Sequence, residues 1–299
     1  MSKLKWDVVG TRKYEIGVDR GVLFPMSSNG SYEKGVAWSG LTAVNESPSG
    51  AEPTNIYADN IKYLSLLSVE EFGATLEALM YPDEFAECDG SAAVAKGVYI
   101  GQQARKHFGL AYRSRIGNDT VGNKYGEKIH IIYNATAKPS EKQRSTINET
   151  PDAPSMSWEL STTPLEVSGY EPTAHIWIDS TMISKDAYEA ITEALWGSET
   201  KDSKILTPDE IVAIINANPA YNLTQNLSHA TSTYTDALVG KTFETTIAAE
   251  ADYELGAVTV TMDGTDISST AWDAESGKVT IANVTGDIVI SATATPISG

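Results

Sequence analysis

The sequence predicts a mainly β chain of α+β composition, with a few helices covering a sheet and a small β-sandwich at its C-terminal end. Three observations carry that expectation. Short segments in which apolar and polar residues alternate recur along the 299 residues, the period-2 mark of half-buried strands. Only two stretches, both between residues 184 and 219, place apolar residues at helical spacing. Beyond Pro219 the composition shifts to Thr, Ala, Val and Asp, with short strand patterns separated by turn signals. The division expected is residues 1–219 and 220–299.

The elements follow in order. Up to Gly35 the chain is punctuated by Gly10, Gly17, Gly21, Pro25 and Gly30 and has no clear apolar period, which reads as an extended arm with short strands. VAWSGLTAV (36–44) sets Val36, Trp38 and Val44 on one parity. The turn-rich run NESPSGAEPTN then leads to the strand IKYLSLL (61–67). In EEFGATLEAL (70–79), Phe72, Ala74, Leu76 and Ala78 alternate with Glu71, Gly73, Thr75 and Glu77, a half-buried strand. A helix is the competing reading there, disfavoured by Gly73 and Thr75.

Residues 81–103 carry no sustained period and read as a long ordered loop. Tyr81, Phe85, Val98, Tyr99 and Ile100 lie in it, and a fully solvated loop would not need them, so it is expected to pack on something. Strand patterns resume at residues 105–117 (Phe108, Leu110, Tyr112), 127–137, 155–164 (Met156, Trp158, Leu160) and 173–181 (Ile176, Ile178).

The first helix, 184–197, has Ser184 as N-cap and Gly197 as stop; Ala187, Tyr188, Ile191, Ala194 and Leu195 form its stripe. The second, 207–219, has Thr207 as N-cap, Pro208 at the first helical position and Glu210 closing a capping box. Past Tyr221, turns are marked at Asp263–Gly264 and Ser276–Gly277.

The net charge of −18, from 22 basic and 40 acidic residues, disfavours conventional binding to nucleic acid, whose phosphates it repels. No apolar run approaches the ~20 residues of a membrane helix. The first twenty residues lack a signal-peptide pattern, so Asn134-Ala135-Thr136 carries no expectation of glycosylation. Cys88 has no second cysteine to pair with, and Glu84, Glu87 and Asp89 beside it would raise its pKa. The four histidines, His107, His130, His175 and His229, repeat no ligand spacing, so no metal site, cofactor or catalytic residue is assigned. Phosphate-binding glycine loops and a nucleophile-elbow motif are absent, and acidic pairs such as Glu70–Glu71 read as solvated carboxylates.

Several segments together resemble the major tail protein family of long-tailed phages of Gram-positive hosts. They are KYEIGVDRGVLFP (13–25), GVAWSGLTAVNESPSGAEPTNIYADNIKYL (35–64), EEFGATLEALMYPDEFAECDGS (70–91), GQQARKHFGLAYRSRIGNDTVG (101–122) and SWELSTTP (157–164). The end of the chain, KVTIANVTGDIVISATA, is similar to immunoglobulin-like domains appended to phage tail and bacterial surface proteins. The first resemblance implies a β-sandwich or barrel-like tail-tube protomer with flanking helices. Hexameric rings of it would share an inner barrel and stack into a tube through which genomic DNA passes during ejection, without specific binding. The tube would be assembled in the host cytoplasm, reside in the virion tail, involve no membrane, and meet tape measure, tail terminator and distal tail proteins. An N-terminal arm and a long loop would bridge subunits and rings.

Within that expectation, Glu71 and Glu77 are candidates for lumen-facing carboxylates because they share one polar parity. Tyr81, Asp83, Glu84, Phe85, Glu87 and Tyr99 are candidates for the inter-subunit loop. The immunoglobulin-like module would project outward. Two other readings stand beside this one: a cell-surface or carbohydrate-binding adhesin acting through the C-terminal module, and a hydrolase with unrecognised carboxylates.

Overall fold

A computed structural model describes residues 3–144, 146–147 and 155–297. Strands account for 51% of the chain and helices for 10%, so the protein is mainly β. It divides into two compact units: Met1–Asp179 with Thr192–Asp209, and Ser180–Ile191 with Glu210–Gly299.

The first unit begins with β1 (Lys13–Pro25), one long strand where an arm with short strands was expected. The reason is local. The pairing of β1 slips twice, between Ile16 and Asp19 and between Asp19 and Val22, near Gly17 and Arg20, both at positive φ. Each bulge inverts the in–out order, so no period of two survives in the sequence. Past the second slip, Val22, Leu23 and Phe24 are buried.

Next come β2 (Val36–Trp38) and β3 (Leu41–Glu46), separated at Gly40, whose φ of +89° breaks the predicted single strand. The chain then runs through β4 (Ser49–Gly50), β5 (Pro53–Ala58), β6 (Ile61–Leu67) and β7 (Glu70–Glu71) into β8 (Gly73–Ala78). These elements form one long hairpin. β3 pairs with β8, β4 with β7, and β5 with β6. Its tip is the pair Asp59–Asn60, at φ 51° and 62°, the positive values that a two-residue type I′ turn requires and that Asp and Asn tolerate. The turn-rich sequence before Ile61 is therefore half of this arm.

The predicted loop 81–103 contains a helical turn, α1 (Phe85–Cys88), and a hairpin of β9 (Ala92–Ala95) and β10 (Val98–Ile100). After it come β11 (Phe108–Asn118), β12 (Gly122–Ala137), β13 (Met156–Thr162), β14 (Leu165–Val167), β15 (Tyr170–Thr173) and β16 (His175–Asp179). The main sheet runs β2-β1-β11-β12-β13-β8-β3, with β16 also paired to β12. Among the described residues no ladder joins its two ends, so the sheet is open.

One face of this sheet closes on Phe85, whose ring centroid lies 4.6 Å from Trp38, 5.2 Å from Trp158 and 5.4 Å from Phe108. Edge-on and tilted pairs of this kind each add about 0.5–1.5 kcal/mol beyond the area they bury. On the other face Tyr133 donates its hydroxyl to the carbonyl of Leu206 at 2.7 Å. A Cβ on Gly109 would stand 2.4 Å from Ile205 Cδ1 and 3.1 Å from Tyr32 Cε1, so a side chain there would require Ile205 to shift.

The second unit takes the start of α2 (Lys185–Trp196) and nearly all of α3 (Pro208–Ala217). Ser184 caps α2 as predicted: its Oγ accepts the Ala187 N–H at 3.1 Å and donates to the Asn218 carbonyl at 2.6 Å. Gly197, at φ +75°, ends that helix as predicted. The remainder is a two-sheet sandwich. Its strands are β17 (Tyr221–Ser228), β18 (Ala230–Ser232), β19 (Leu238–Val239), β20 (Phe243–Ala249), β21 (Tyr253–Met262) and β22 (Thr265–Asp266). They are followed by α4 (Ser268–Ala271), β23 (Trp272–Asp273), β24 (Lys278–Ile281) and β25 (Ile288–Pro296). One sheet is β19-β17-β25-β21-β22 and the other β18-β20-β24-β23. Ile247, Val260, Val279, Ile288 and Ile290 fill the space between them. Asp263–Gly264, both at positive φ, turn β21 into β22 as the sequence signalled.

Candidate assembly surface and buried polar cluster

From Ser47 to Glu71 every residue of the arm but half-buried Ala58 is exposed. Every residue of β6 is exposed, as is every residue of β5 except half-buried Ala58. Because the two faces of a strand pair point opposite ways, exposure of both means that neither packs on the body. Yet the arm is apolar: Ile56, Tyr57, Ile61, Tyr63, Leu64, Leu66, Leu67 and Val69 are all among the exposed large hydrophobics, Tyr63 at 65% and Leu67 at 72%. Ile56 lies opposite Leu64, and Leu66 opposite Thr54, so these four share one face. A lone two-stranded hairpin is marginally stable in water, and an exposed apolar patch of this kind marks an interaction surface.

Two smaller features repeat the pattern. The β9–β10 hairpin exposes Val94, Val98, Tyr99 and Ile100, and the segment before β1 exposes Leu4, Trp6, Val8 and Val9.

The residues predicted for the inter-subunit loop separate into two groups. Phe85 is fully buried in this chain's own core, which removes it from the surface expected of it, and Tyr81 is half-buried against it and Trp158. The segment is anchored by Asp89, whose buried carboxylate accepts from Trp158 Nε1 (3.1 Å), Arg105 Nη1 (3.4 Å) and Lys142 Nζ. The other predicted residues, Asp83, Glu84, Glu87 and Tyr99, remain outward and gather around a depression of about 270 Å3, where Glu87 pairs with Lys106. Cys88 is buried. Burial, more than its acidic neighbours, raises its thiol to about 12, which leaves it inert as a nucleophile.

The two predicted lumen carboxylates do not lie on one strand. Phe72 interrupts the expected segment, leaving Glu71 in β7, opposite Ser49 in the stem of the arm. Glu77 stays on β8, on the face opposite Ala74, Leu76 and Ala78, and lies level with Ser157 and Ala43. Thr75 and Glu159 continue that polar face. Glu159 went unnoticed because its strand was read only for its apolar parity.

The polar groups of β1 and its neighbours form a dense network. Asp19 accepts from Arg113 Nε (2.6 Å) and Nη2 (2.8 Å) and from Arg115 Nη2 (3.1 Å), while Glu127 takes Arg113 Nη1 at 2.7 Å. Those hydrogen bonds, Arg113's first, hold the Asp19 carboxyl below its ordinary range against the opposing effect of burial.

A second cluster lies where β3, β12 and β16 meet. Rings stack in the order Tyr112, His130, His175 and Phe72, with centroids 4.7, 5.7 and 4.6 Å apart. Glu46 Oε1 stands 3.3 Å from His130 Nδ1 and 3.4 Å from His175 Nε2, and accepts the Tyr112 hydroxyl at 2.9 Å. Burial, only partly offset by Glu46, lowers the pKa of both imidazoles and favours their neutral form. The sequence could not assemble this group, since Glu46, Tyr112, His130 and His175 come from four strands, β3, β11, β12 and β16, and Phe72 from just before β8. The only local signal was a histidine, His130, set inside the apolar run Ile129–Ile132.

No protein-family model matches the chain, and no curated protein matches it. None of the described helices is long and apolar enough to cross a membrane.

Proposed function

We propose that the chain is the repeating subunit of a self-assembling tube, of the kind built by major tail proteins of long-tailed phages. Hexameric rings would stack, and genomic DNA would pass through the bore. The observation that carries this reading is the Ser47–Glu71 arm, a long hairpin whose apolar side chains stay exposed on both faces among the described residues. Such an arm gains its missing burial by lying on a neighbouring copy, and the exposed β9–β10 hairpin and the segment before β1 are suited to the same use. The open main sheet supports it too, because joining sheets between copies removes exposed edges.

In this reading the polar face of β8 and β13, with Thr75, Glu77, Ser157 and Glu159, faces the bore, where carboxylates keep DNA from adhering. Glu71 belongs to the arm. In this reading the protein acts without catalysis, resides in the virion tail after assembly in the host cytoplasm, and meets tape measure, terminator and distal tail proteins at the tube's interior and ends.

Electron microscopy of the purified chain over a rising concentration series is the test. Rings or tubes of uniform bore are expected, and a variant with residues 51–68 replaced by a tight turn should remain folded and fail to stack. A chain that stays monomeric at high concentration, with tail-assembly proteins added, would overturn the proposal.

A further inference from the structure

Glu46, His130 and His175 bring three potential ligand atoms together. His130 Nε2 lies 3.1 Å from Glu15 Oε1 and 3.1 Å from Ser114 Oγ. Ser114 already spends its hydroxyl proton on Glu15 Oε1, at 2.6 Å, so at both contacts the imidazole must be the donor. Both carboxylate oxygens of Glu15 accept hydrogen bonds, Oε1 from Ser114 and Oε2 from Lys128 at 2.5 Å. In the neutral ring the proton therefore sits on Nε2, and Nδ1 presents a lone pair. That atom is buried and makes no hydrogen bond, and His175 Nε2 is likewise buried without one. Both lie close to Glu46 Oε1, at 3.3 and 3.4 Å, and the ligand atoms of all three residues lie within 4.8 Å of one another. Lone pairs gathered in this way, in a side-chain environment only 9% exposed at His130, call for a cation between them.

We propose that Glu46, His130 and His175 bind a divalent transition-metal ion, zinc being the best match. Two imidazoles and one carboxylate are a donor set that zinc prefers, with solvent or a further ligand in the fourth position. Bonds of about 2.0–2.1 Å in tetrahedral geometry place donor atoms about 3.3–3.4 Å apart. The carboxylate–imidazole separations here are 3.3 and 3.4 Å. The outer shell is present as well: Glu15 fixes the His130 tautomer and Tyr112 holds Glu46. The site opens on a cavity of about 530 Å3 lined by Glu15, Tyr112, Ser114 and Trp177, which leaves the fourth position accessible. Glu46 is the last residue of β3, where the arm leaves the sheet, whereas the histidines sit on β12 and β16. The ion would clamp the root of the arm to the sheet.

The experiment is a calorimetric titration of the chelator-treated full chain with Zn2+, repeated with Co2+ and followed by visible absorption. One equivalent should bind, Tm should rise, and Co2+ should give the intense d–d bands of a four-coordinate site. Glu46→Gln, at a side chain 36% exposed, keeps the shape and the Tyr112 hydrogen bond while removing the charged ligand. It and His175→Gln should each weaken binding more than the outer-shell change Glu15→Gln, for which a loss of about 10–100-fold is expected. Equal unfolding midpoints in chelator certify that a variant is folded; should His175→Gln fail that check, Glu46→Gln decides alone. Absence of stoichiometric binding, or binding that survives Glu46→Gln unchanged, overturns the proposal. The readout does not depend on whether the chain forms tubes.

Discussion

The arm between β3 and β8 and the C-terminal sandwich are made of similar material and end differently. Both consist of short strands that carry aliphatic and aromatic side chains, Ile, Leu and Tyr in the arm and Ile and Val above all in the sandwich. In the sandwich each strand's apolar parity meets a second sheet: Ile247 and Val279 come from one sheet, Val260, Ile288 and Ile290 from the other, and all are buried. The arm has one layer only, so Ile56, Leu64 and Leu66 remain in water. The difference lies in whether the described residues supply the opposing layer. Where they do, burial is folding free energy; where they do not, the apolar area stays exposed, and the proposed function gives it to a neighbouring copy.

The sharpest way to break this comparison is to exchange the roles of aromatic residues within the first unit. Phe85→Ala should lower unfolding stability by about 3–5 kcal/mol, as removal of a fully buried ring does. Denaturant unfolding monitored by Trp38 and Trp158 fluorescence measures this, and a loss below about 1 kcal/mol would mean that the ring is not the keystone of that core.

A smaller effect is expected in the charged network of the main sheet. The folded pKa of Asp19 lies below its ordinary value of 3.8, because of Arg113 first and then Arg115. Its contribution is thus complete above the unfolded value and is lost as pH falls through the lower folded value. Stability measured from pH 6 to about 2 should show that acid limb in the native chain and a shallower one in Asp19→Asn, with Glu127 still pairing Arg113 in the variant. In the second unit, Ser184→Ala should cost about 1 kcal/mol, the usual worth of an N-cap, since the Ala187 N–H loses its acceptor.

How far the fold was legible follows from these same residues. Strands with intact alternation were readable: Trp158 and Leu160 in β13, or Ala74 and Leu76 in β8, announce the buried side directly. The caps at Ser184 and Gly197 were readable because capping chemistry is local. β1 was not, since its two bulges erase the period at Gly17 and Arg20. The arm was half readable: IKYLSLL declared itself, while β5 was hidden among Pro, Ser and Gly. Phe85 was taken for an exported side chain because a sequence cannot distinguish an aromatic that faces another chain from one that faces inward. Of the predicted site residues, Asp83, Glu84, Glu87 and Tyr99 are at the surface and together, whereas Glu71 and Glu77 diverge at Phe72. The Glu46–His130–His175 cluster was out of reach, being a product of strand order and not of spacing.

The smallest effect on stability is the most informative for function. Leu66 is 54% exposed on the arm face it shares with Ile56 and Leu64. Leu66→Ser should therefore change unfolding stability by no more than about 0.5 kcal/mol, the range of surface substitutions. If that face lies on a neighbouring copy, the same change removes apolar area from an interface repeated at every subunit. The expected result is a fully folded chain whose rings no longer stack, seen by sedimentation velocity and microscopy on the sample used for the unfolding curve. A pairing of normal stability with lost assembly separates association from folding at one residue. A loss of several kcal/mol in the isolated chain would instead place Leu66 in a core of its own and remove the contrast between the arm and the sandwich. Unchanged assembly would leave the contrast standing and move the contact to another part of the chain, the β9–β10 hairpin with Tyr99 and Ile100 being the next to substitute.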